Sequence, residues 1–152
     1  MKLQDMVARV GEDIGTSDWV LIDQDRITAF ADCTEDHQFI HVNPEMARMT
    51  PFGGTIAHGF LTVSMLSSLM ENACEKPEVL FSLNYGFDKL RFLTPVKSGQ
   101  RIRGRFKLLE LVEKRPGQWQ QKNEATVEIE GSDKPAMVAE WLFQHFTSVP
   151  AA

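Results

Sequence analysis

The sequence predicts an α+β fold, and three observations carry that expectation. Residues 59–73, GFLTVSMLSSLMENA, are apolar on nearly every side at helical spacing, which predicts one long helix enclosed by the rest of the protein. After that helix the apolar period drops to two and stays there to the end, as antiparallel strands with one buried face require. The strand segments are punctuated by turn-forming clusters at Arg115-Pro116-Gly117 and Gly131-Ser132-Asp133-Lys134-Pro135. At 152 residues and 43% hydrophobic, the chain has room for one core and not for two, so residues 1–152 are expected to form a single domain.

The elements follow in order. Leu3, Met6, Val7, Val10 and Ile14 recur at helical spacing and predict a short amphipathic first helix. A β-rich run at 19–22 comes next, and Asp23 then stands as the N-cap of a helix presenting Ile27, Phe30 and Ala31. An irregular stretch leads to the long helix, with one helical piece at 44–49 that Asn43 can cap and Pro44 can begin. Beyond the long helix, 79–87, 89–93 and 101–112 read as strands, and a slip of apolar phase at Leu108 and Leu109 predicts a bulge. In 118–130, Trp119, Ala125, Val127 and Ile129 form a buried face opposite Gln120, Lys122, Glu124, Thr126, Glu128 and Glu130. Residues 136–146 make the last strand.

Composition narrows the partners. A net charge of -5 disfavours nucleic acid, whose phosphates select basic surfaces. No apolar run approaches the roughly 18 residues of a membrane span. The first residues carry Asp5, Arg9, Glu12 and Asp13 where a secretory signal needs an apolar core, and two cysteines, Cys33 and Cys74, make no disulfide framework; a cytoplasmic location is expected. Basic residues nevertheless gather in one stretch, Lys89, Arg91, Lys97, Arg101, Arg103, Arg105 and Lys107. Such a stretch suits phosphate groups, although the solvated face of strands accounts for most of it.

The chemistry concentrates between Asp32 and Gly59, a segment that holds His37, His41 and His58 of the chain's 4 histidines. Asp36 and His41 are the expected catalytic pair, because at neutral pH one is an anion and the other can give or take a proton. A pair five residues apart in an acidic loop is also ordinary loop content, so the company it keeps decides.

That company is Phe30-Ala31-Asp32, Asp36-His37-Gln38-Phe39-Ile40-His41 and Phe52-Gly53-Gly54-Thr55-Ile56-Ala57-His58-Gly59, followed by Leu83-Asn84-Tyr85-Gly86-Phe87-Asp88-Lys89-Leu90-Arg91-Phe92, Pro95-Val96 and Gly99. The block resembles MaoC-type (R)-specific enoyl-CoA hydratases, and more closely their NodN-like branch, over residues 15–146. One departure stands out: many of these hydratases place Asn-Pro between the Asp and the His, whereas here Asn43-Pro44 follows His41. The departure bears on acyl-chain preference. The resemblance implies a hot-dog fold, a homodimer, no cofactor beyond the coenzyme A of the substrate, and hydration of a trans-2-enoyl thioester of CoA or acyl carrier protein to its (3R)-hydroxyacyl product.

It also implies roles. Asp36 and His41 bracket the attacking water, and Gly59, where the long helix begins, offers its N–H to the thioester oxygen. Ser67 matches a hydroxyl near the catalytic pair in relatives, although a buried serine bonded to a carbonyl one turn earlier is the simpler reading. His58 is expected to fix the loop; Asn84, Lys89 and Arg91 complete the substrate-binding set.

Plainer readings cover the other candidates. His37 and His41 are four apart, yet in a loop they make an improbable metal site. Cys33 reads as a small buried hydrophobe and His145 as structural. A hot-dog thioesterase needs a carboxylate near the central helix, for which Glu71 comes too late. A non-catalytic acyl-binding module would not need both Asp36 and His41.

Overall fold

The computed structural model describes residues 1–149. A six-stranded antiparallel sheet curls around one long helix, the hot-dog form of the α+β class. The strands are β1 (Asp13–Thr16), β2 (Val20–Ile22), β3 (Phe81–Phe92), β4 (Gln100–Arg115), β5 (Gln118–Ile129) and β6 (Met137–Phe146). The helices are α1 (Leu3–Met6), α2 (Gln24–Thr34), α3 (Phe39–Val42), α4 (Pro44–Ala47) and the central α5 (Gly59–Ala73). The sheet runs β1-β4-β5-β6-β3, with β2 also paired to β4. Among the described residues β3 pairs with β6 alone, so its other edge is open.

Local chemistry sets the element ends. The Asp23 carboxylate accepts from the Arg26 N–H at 2.9 Å to start α2, and Asn43 Oδ1 accepts from the Met46 N–H at 3.1 Å to start α4 with Pro44 in its first turn. Glu35 ends α2 in the left-handed region, at φ 63°, and so turns the chain toward Asp36. The expected bulge in β4 lies between Leu108 and Glu110.

The core sits between α5 and the concave face of the sheet. Leu61, Met65, Leu66 and Leu69 of α5 pack with Ile102, Phe106, Val127, Ile129, Met137 and Trp141. Each large side chain so buried contributes about 1.5–3 kcal/mol. Gly104 lets the helix approach β4, since a Cβ there would meet the Phe106 ring at 2.7 Å and Leu69 at 3.1 Å. A second cluster of Leu3, Met6, Leu108, Leu111 and Trp119 closes the other end.

Four expectations need correction. The first helix stops at Met6 and a single 3-10 turn, because Gly11 reverses the chain at φ 95° and its N–H bonds to the Leu108 carbonyl; Ile14 therefore belongs to β1. The two strands expected within 79–93 are one, residues 81–92, bent by bulges at Asn84/Gly86 and Phe87/Lys89. The long helix is not enclosed: Phe60, Ser64, Ser67, Ser68 and Glu71 form an exposed stripe that no element among the described residues covers. Cys33 is exposed rather than buried, at the solvent side of α2.

Candidate active site

The site forms where α3 and the start of α5 are tied together. Ile56 N–H donates to the Ile40 carbonyl at 3.0 Å and Ala57 N–H to the Val96 carbonyl at 2.7 Å, which lays the 53–58 segment against α3 on one side and the loop before β4 on the other. Gln24 of α2 braces both parts. Its amide donates to the His41 carbonyl at 2.8 Å and accepts from Thr55 Oγ1 at 2.5 Å. The segment is thereby anchored to α2 and α3, and Thr55, His41 and His58 are all buried.

Two backbone carbonyls select the histidine tautomers. His41 Nδ1 lies 2.7 Å from the Ile56 carbonyl, which can only accept, so Nδ1 carries the proton and Nε2 is bare. His58 Nε2 lies 2.9 Å from the Asp36 carbonyl, so there the proton is on Nε2 and Nδ1 is bare. The two rings stack with centroids 3.8 Å apart and planes 23° apart, and Phe30 tilts against His58 at 4.9 Å. Asp36, an exposed residue, His41 and His58 offer oxygen and nitrogen atoms that all lie within 4.8 Å of one another. His58 Nδ1 is buried and has no hydrogen-bond partner among the described residues.

This trio suits a water better than a metal ion. Imidazole lone pairs lie in the ring plane, and two rings stacked nearly parallel cannot both aim in-plane at one ion about 2 Å away. A water needs only hydrogen-bond distances and can donate to two acceptors at once. Burial holds the His41 pKa below its ordinary value of 6.5, and His58 beside it adds to the lowering, while the bond to the Ile56 carbonyl and the Asp36 charge pull it back upward. His41 is therefore a neutral base at physiological pH.

Gly59 is the first residue of α5. The helix begins with Leu61 and Thr62 N–H donating to the His58 carbonyl at 3.1 and 3.3 Å, and the N–H groups of Gly59 and Phe60 meet no acceptor among the described residues. Gly59 does not adopt an unusual backbone angle. It is glycine by close approach, since a Cβ would meet the Phe92 ring at 2.8 Å. Gly59, Phe60 and Phe92 line a cavity of about 380 Å³ with Leu93, Thr94 and Pro95. A free N–H pair at a helix start, directly following His58 in the chain and lining a cavity, can stabilise an oxyanion while the Asp36 and His41 pair moves protons.

The remaining expected site residues separate. Ser67 is exposed, without the back-bond expected of it, and lines a different cavity with Met70, Cys74 and His145; Ser64 makes such a bond instead, to the Phe60 carbonyl at 2.7 Å. Asn84 is committed to structure, its Oδ1 accepting from the buried Trp141 indole N–H at 2.8 Å. Lys89 and Arg91 are exposed on β3 just before Phe92. Arg101, Arg103 and Arg105 are paired with Glu130 and Glu128 across β4 and β5, the solvated strand face their alternation suggests. His37 turns away from His41 to Asp32 Oδ1 at 2.8 Å. Glu71 is exposed and paired with Lys76.

Sequence reasoning missed a second polar group. Gln121 and Asn123 are buried in β5 in phase with Trp119 and Ala125, joined to His145 and Ser82. The signal was there in the alternation, since positions 121 and 123 share parity with the apolar face.

Comparison with known proteins gives the family. The profile of the MaoC like domain matches residues 5–132. Nodulation protein N of Rhizobium leguminosarum bv. viciae is 48% identical over 144 residues, 93% of this chain and 89% of that protein. The 3-hydroxyacyl-thioester dehydratase Z of Mycobacterium tuberculosis is 45% identical over 141 residues, 93% of each chain. Among solved structures, the MaoC-like dehydratase from Rhodospirillum rubrum superposes with a TM-score of 0.79 at 20% identity, covering 99% of both chains. The (R)-hydratase from A. caviae superposes at 0.72 and 24% identity, covering 88% of this chain and 94% of that one. These last two likenesses speak to the fold, whereas the profile match and the identity to the curated relatives place the chain in the MaoC-like dehydratase family, as an enzyme of the dehydratase (lyase) class.

Proposed function

We propose that the protein adds water reversibly across a trans-2-enoyl thioester to give the (3R)-3-hydroxyacyl thioester, with coenzyme A or acyl carrier protein as the carrier and no other cofactor. The observation that carries this reading is the tautomer lock: His41 presents a bare Nε2, and the Asp36 carboxylate lies within 4.8 Å of the histidine pair. Water held by these acceptors attacks C3, with His41 or Asp36 taking its proton. The negative charge passes to the thioester oxygen at the free Gly59 N–H. The proton held by the pair then returns to C2, so both groups arrive on one face. His58 contributes a third acceptor and, through its bond to the Asp36 carbonyl, holds the loop that carries the carboxylate. Lys89 and Arg91, exposed on β3 before the cavity-lining Phe92, would meet the carrier phosphates in this reading.

The protein acts as a cytoplasmic homodimer in this reading. No helix among the described residues is long and apolar enough to cross a membrane. The open edge of β3 and the bare stripe of α5 lie on surfaces that a second copy would cover. A thioesterase finds less support, because Glu71 is exposed and neutralised by Lys76.

Hydration of crotonyl-CoA in D₂O tests the reaction and its geometry together. Loss of the enoyl-thioester absorbance without release of free thiol, with a (3R) product from syn addition, is the expected result. Thiol release would point to hydrolysis, and a (3S) or anti product would overturn the arrangement of Asp36, His41 and Gly59.

A further inference from the structure

A second cavity, of about 240 Å³, lies under the far half of α5, bounded by Ser67, Met70 and Cys74 on the helix and by Ser82, Gln121 and His145 on the sheet. It sits at the seam between the two apolar clusters. Its position relative to the chemistry follows from helix geometry. Gly59, Val63, Ser67 and Met70 are spaced by four, four and three residues, so they share one face of α5. At 1.5 Å per residue, Ser67 and Met70 lie about 12 and 16 Å along that face from Gly59. An acyl chain of about 12–16 Å leaving a thioester held at Gly59 along this face would reach the second cavity.

The sheet side of this cavity is polar in a way that strand packing does not require. Ser82 Oγ lies 2.7 Å from His145 Nδ1, His145 Nε2 lies 2.9 Å from Gln121 Oε1, and Gln121 Nε2 donates to Asn123 Oδ1 at 2.9 Å. The amide oxygen of Gln121 can only accept, so His145 carries its proton on Nε2; its Nδ1 is then bare and takes the Ser82 hydroxyl proton. The direction of the whole chain is thus set, from Ser82 to Asn123. Two capacities are left over. Ser82 Oγ keeps lone pairs that can accept, and the Gln121 amide keeps a second N–H that can donate. Gln121, Asn123 and His145 are at most 4% exposed, and in so buried a network any donor or acceptor capacity left unmatched is unfavourable. The charges at the cavity are already matched: Arg9 with Glu12, Glu71 with Lys76, and Glu75 with the chain's amino terminus. The site therefore suits an uncharged group that both donates and accepts.

We propose that this cavity receives the far end of the acyl chain and recognises a hydroxyl there, which donates to Ser82 Oγ and accepts from the Gln121 amide, so that the preferred substrates are 2-enoyl thioesters hydroxylated about 12–16 Å from the thioester. The proposal rests on the reading of Gly59 as the thioester-oxygen site. It makes the enzyme selective for an oxygenated chain, because the buried Gln121 amide, beside the exposed Ser82, is left unmatched by a methyl end.

The test compares CoA esters of ω-hydroxy-2-enoic acids of increasing length with methyl-ended esters of the same length. Crotonyl-CoA, too short to reach the cavity, reports the hydratase reading separately. Expected is a preference in kcat/KM of about tenfold for the hydroxyl-ended ester, confined to the lengths that reach Ser67 to Met70, and its loss in Ser82→Ala and in Gln121→Met. Competition by saturated ω-hydroxyacyl-CoA and acyl-CoA for the wild-type protein reads the same preference without turnover or variants. Equal kcat/KM and equal competition at every length would overturn the proposal even with crotonyl-CoA hydrated normally. A hydroxyl preference in competition with crotonyl-CoA left unreacted would keep the cavity assignment and sink the hydratase reading.

Discussion

The His41 ring stacks on the His58 ring at 3.8 Å, and each is pinned by a backbone carbonyl through the nitrogen that the other does not use: Nδ1 in His41, Nε2 in His58. Burial, and with it the His58 ring so close by, keeps His41 below its ordinary pKa. The acid limb of kcat/KM should therefore lie below pH 6.5. In His58→Phe the ring stays in the stack but the electrostatic pressure is gone, so the His41 pKa rises and the acid limb moves to higher pH. A limb that stays in place, measured on crotonyl-CoA with the variant folded, would show that His58 has no electrostatic hold on His41.

Removing either member of the pair should be far more damaging than removing their neighbour. Asp36→Asn and His41→Gln are each expected to lower kcat by at least about 10²-fold, the usual contribution of a positioned acid or base. Because both act on one water, the double variant should be little worse than the worse single one. Near-normal turnover in either single variant with an unchanged circular dichroism spectrum would remove that residue from the mechanism.

What was legible in the sequence was mostly local. The Asp23 and Asn43 caps, Pro44 at its helix start and the bulge at Leu108 each depend on chemistry within a few residues, and each was found. The Asp36 and His41 pair and the glycine at the head of α5 were legible as a motif. The reasons behind them were not, because they come from distant chain: the Ile56 carbonyl sets the His41 tautomer, and the Phe92 ring from β3 keeps Gly59 a glycine. Gln121 and Asn123 were overlooked for the same cause. A polar residue in phase with an apolar face looks wet until His145 and Ser82 arrive from other strands to satisfy it. Ser67 was misplaced because an apolar helix was expected to be covered all round, and one stripe of α5 is not.

Gly59 and Phe92 can be tested as a pair. Gly59→Ala puts a methyl 2.8 Å from the Phe92 ring, an overpacking expected to lower stability by about 1–3 kcal/mol. Phe92→Leu in the same chain should restore most of that stability by removing the ring edge. Urea denaturation of the single and double variants reads the coupling directly, and simply additive effects would mean that the contact is not what excludes a side chain at position 59.

The open edge of β3 carries Leu83 and Tyr85, 49% and 57% exposed, an apolar edge that invites strand pairing. A second copy is the expected cover. Sedimentation equilibrium at micromolar concentration should give about twice the 17.2 kDa chain mass. Leu83→Lys with Tyr85→Lys should shift the protein toward the single-chain mass, since charge on an edge strand opposes edge-to-edge pairing. A wild-type protein that sediments only at the single-chain mass would exclude the dimer.

His145 should govern acid stability. Burial pushes its pKa down to about 4, from an ordinary value of 6.5. A histidine held neutral in the folded state binds its proton more readily when unfolded, so between these two values the unfolded chain carries more protons and stability rises with pH. As pH falls from 6.5 to about 4.5, unfolding should become easier by roughly 2–3 kcal/mol from this group alone, with His41 adding in the same direction. The carboxylates of Glu128 and Glu130, held below their usual range by Arg103, Arg105 and Arg101, stabilise the fold at higher pH and lose that contribution as pH falls through the ordinary carboxylate value of 4.5. The window above about pH 5.5 therefore isolates the histidines. His145→Gln, which can keep a polar contact without a titrating group, should flatten the dependence of the urea midpoint on pH across that window while leaving the slope below it. An unchanged slope would mean that protonated His145 is accommodated in the folded protein, and that the direction of the Ser82 to Asn123 chain is not held by the neutral ring.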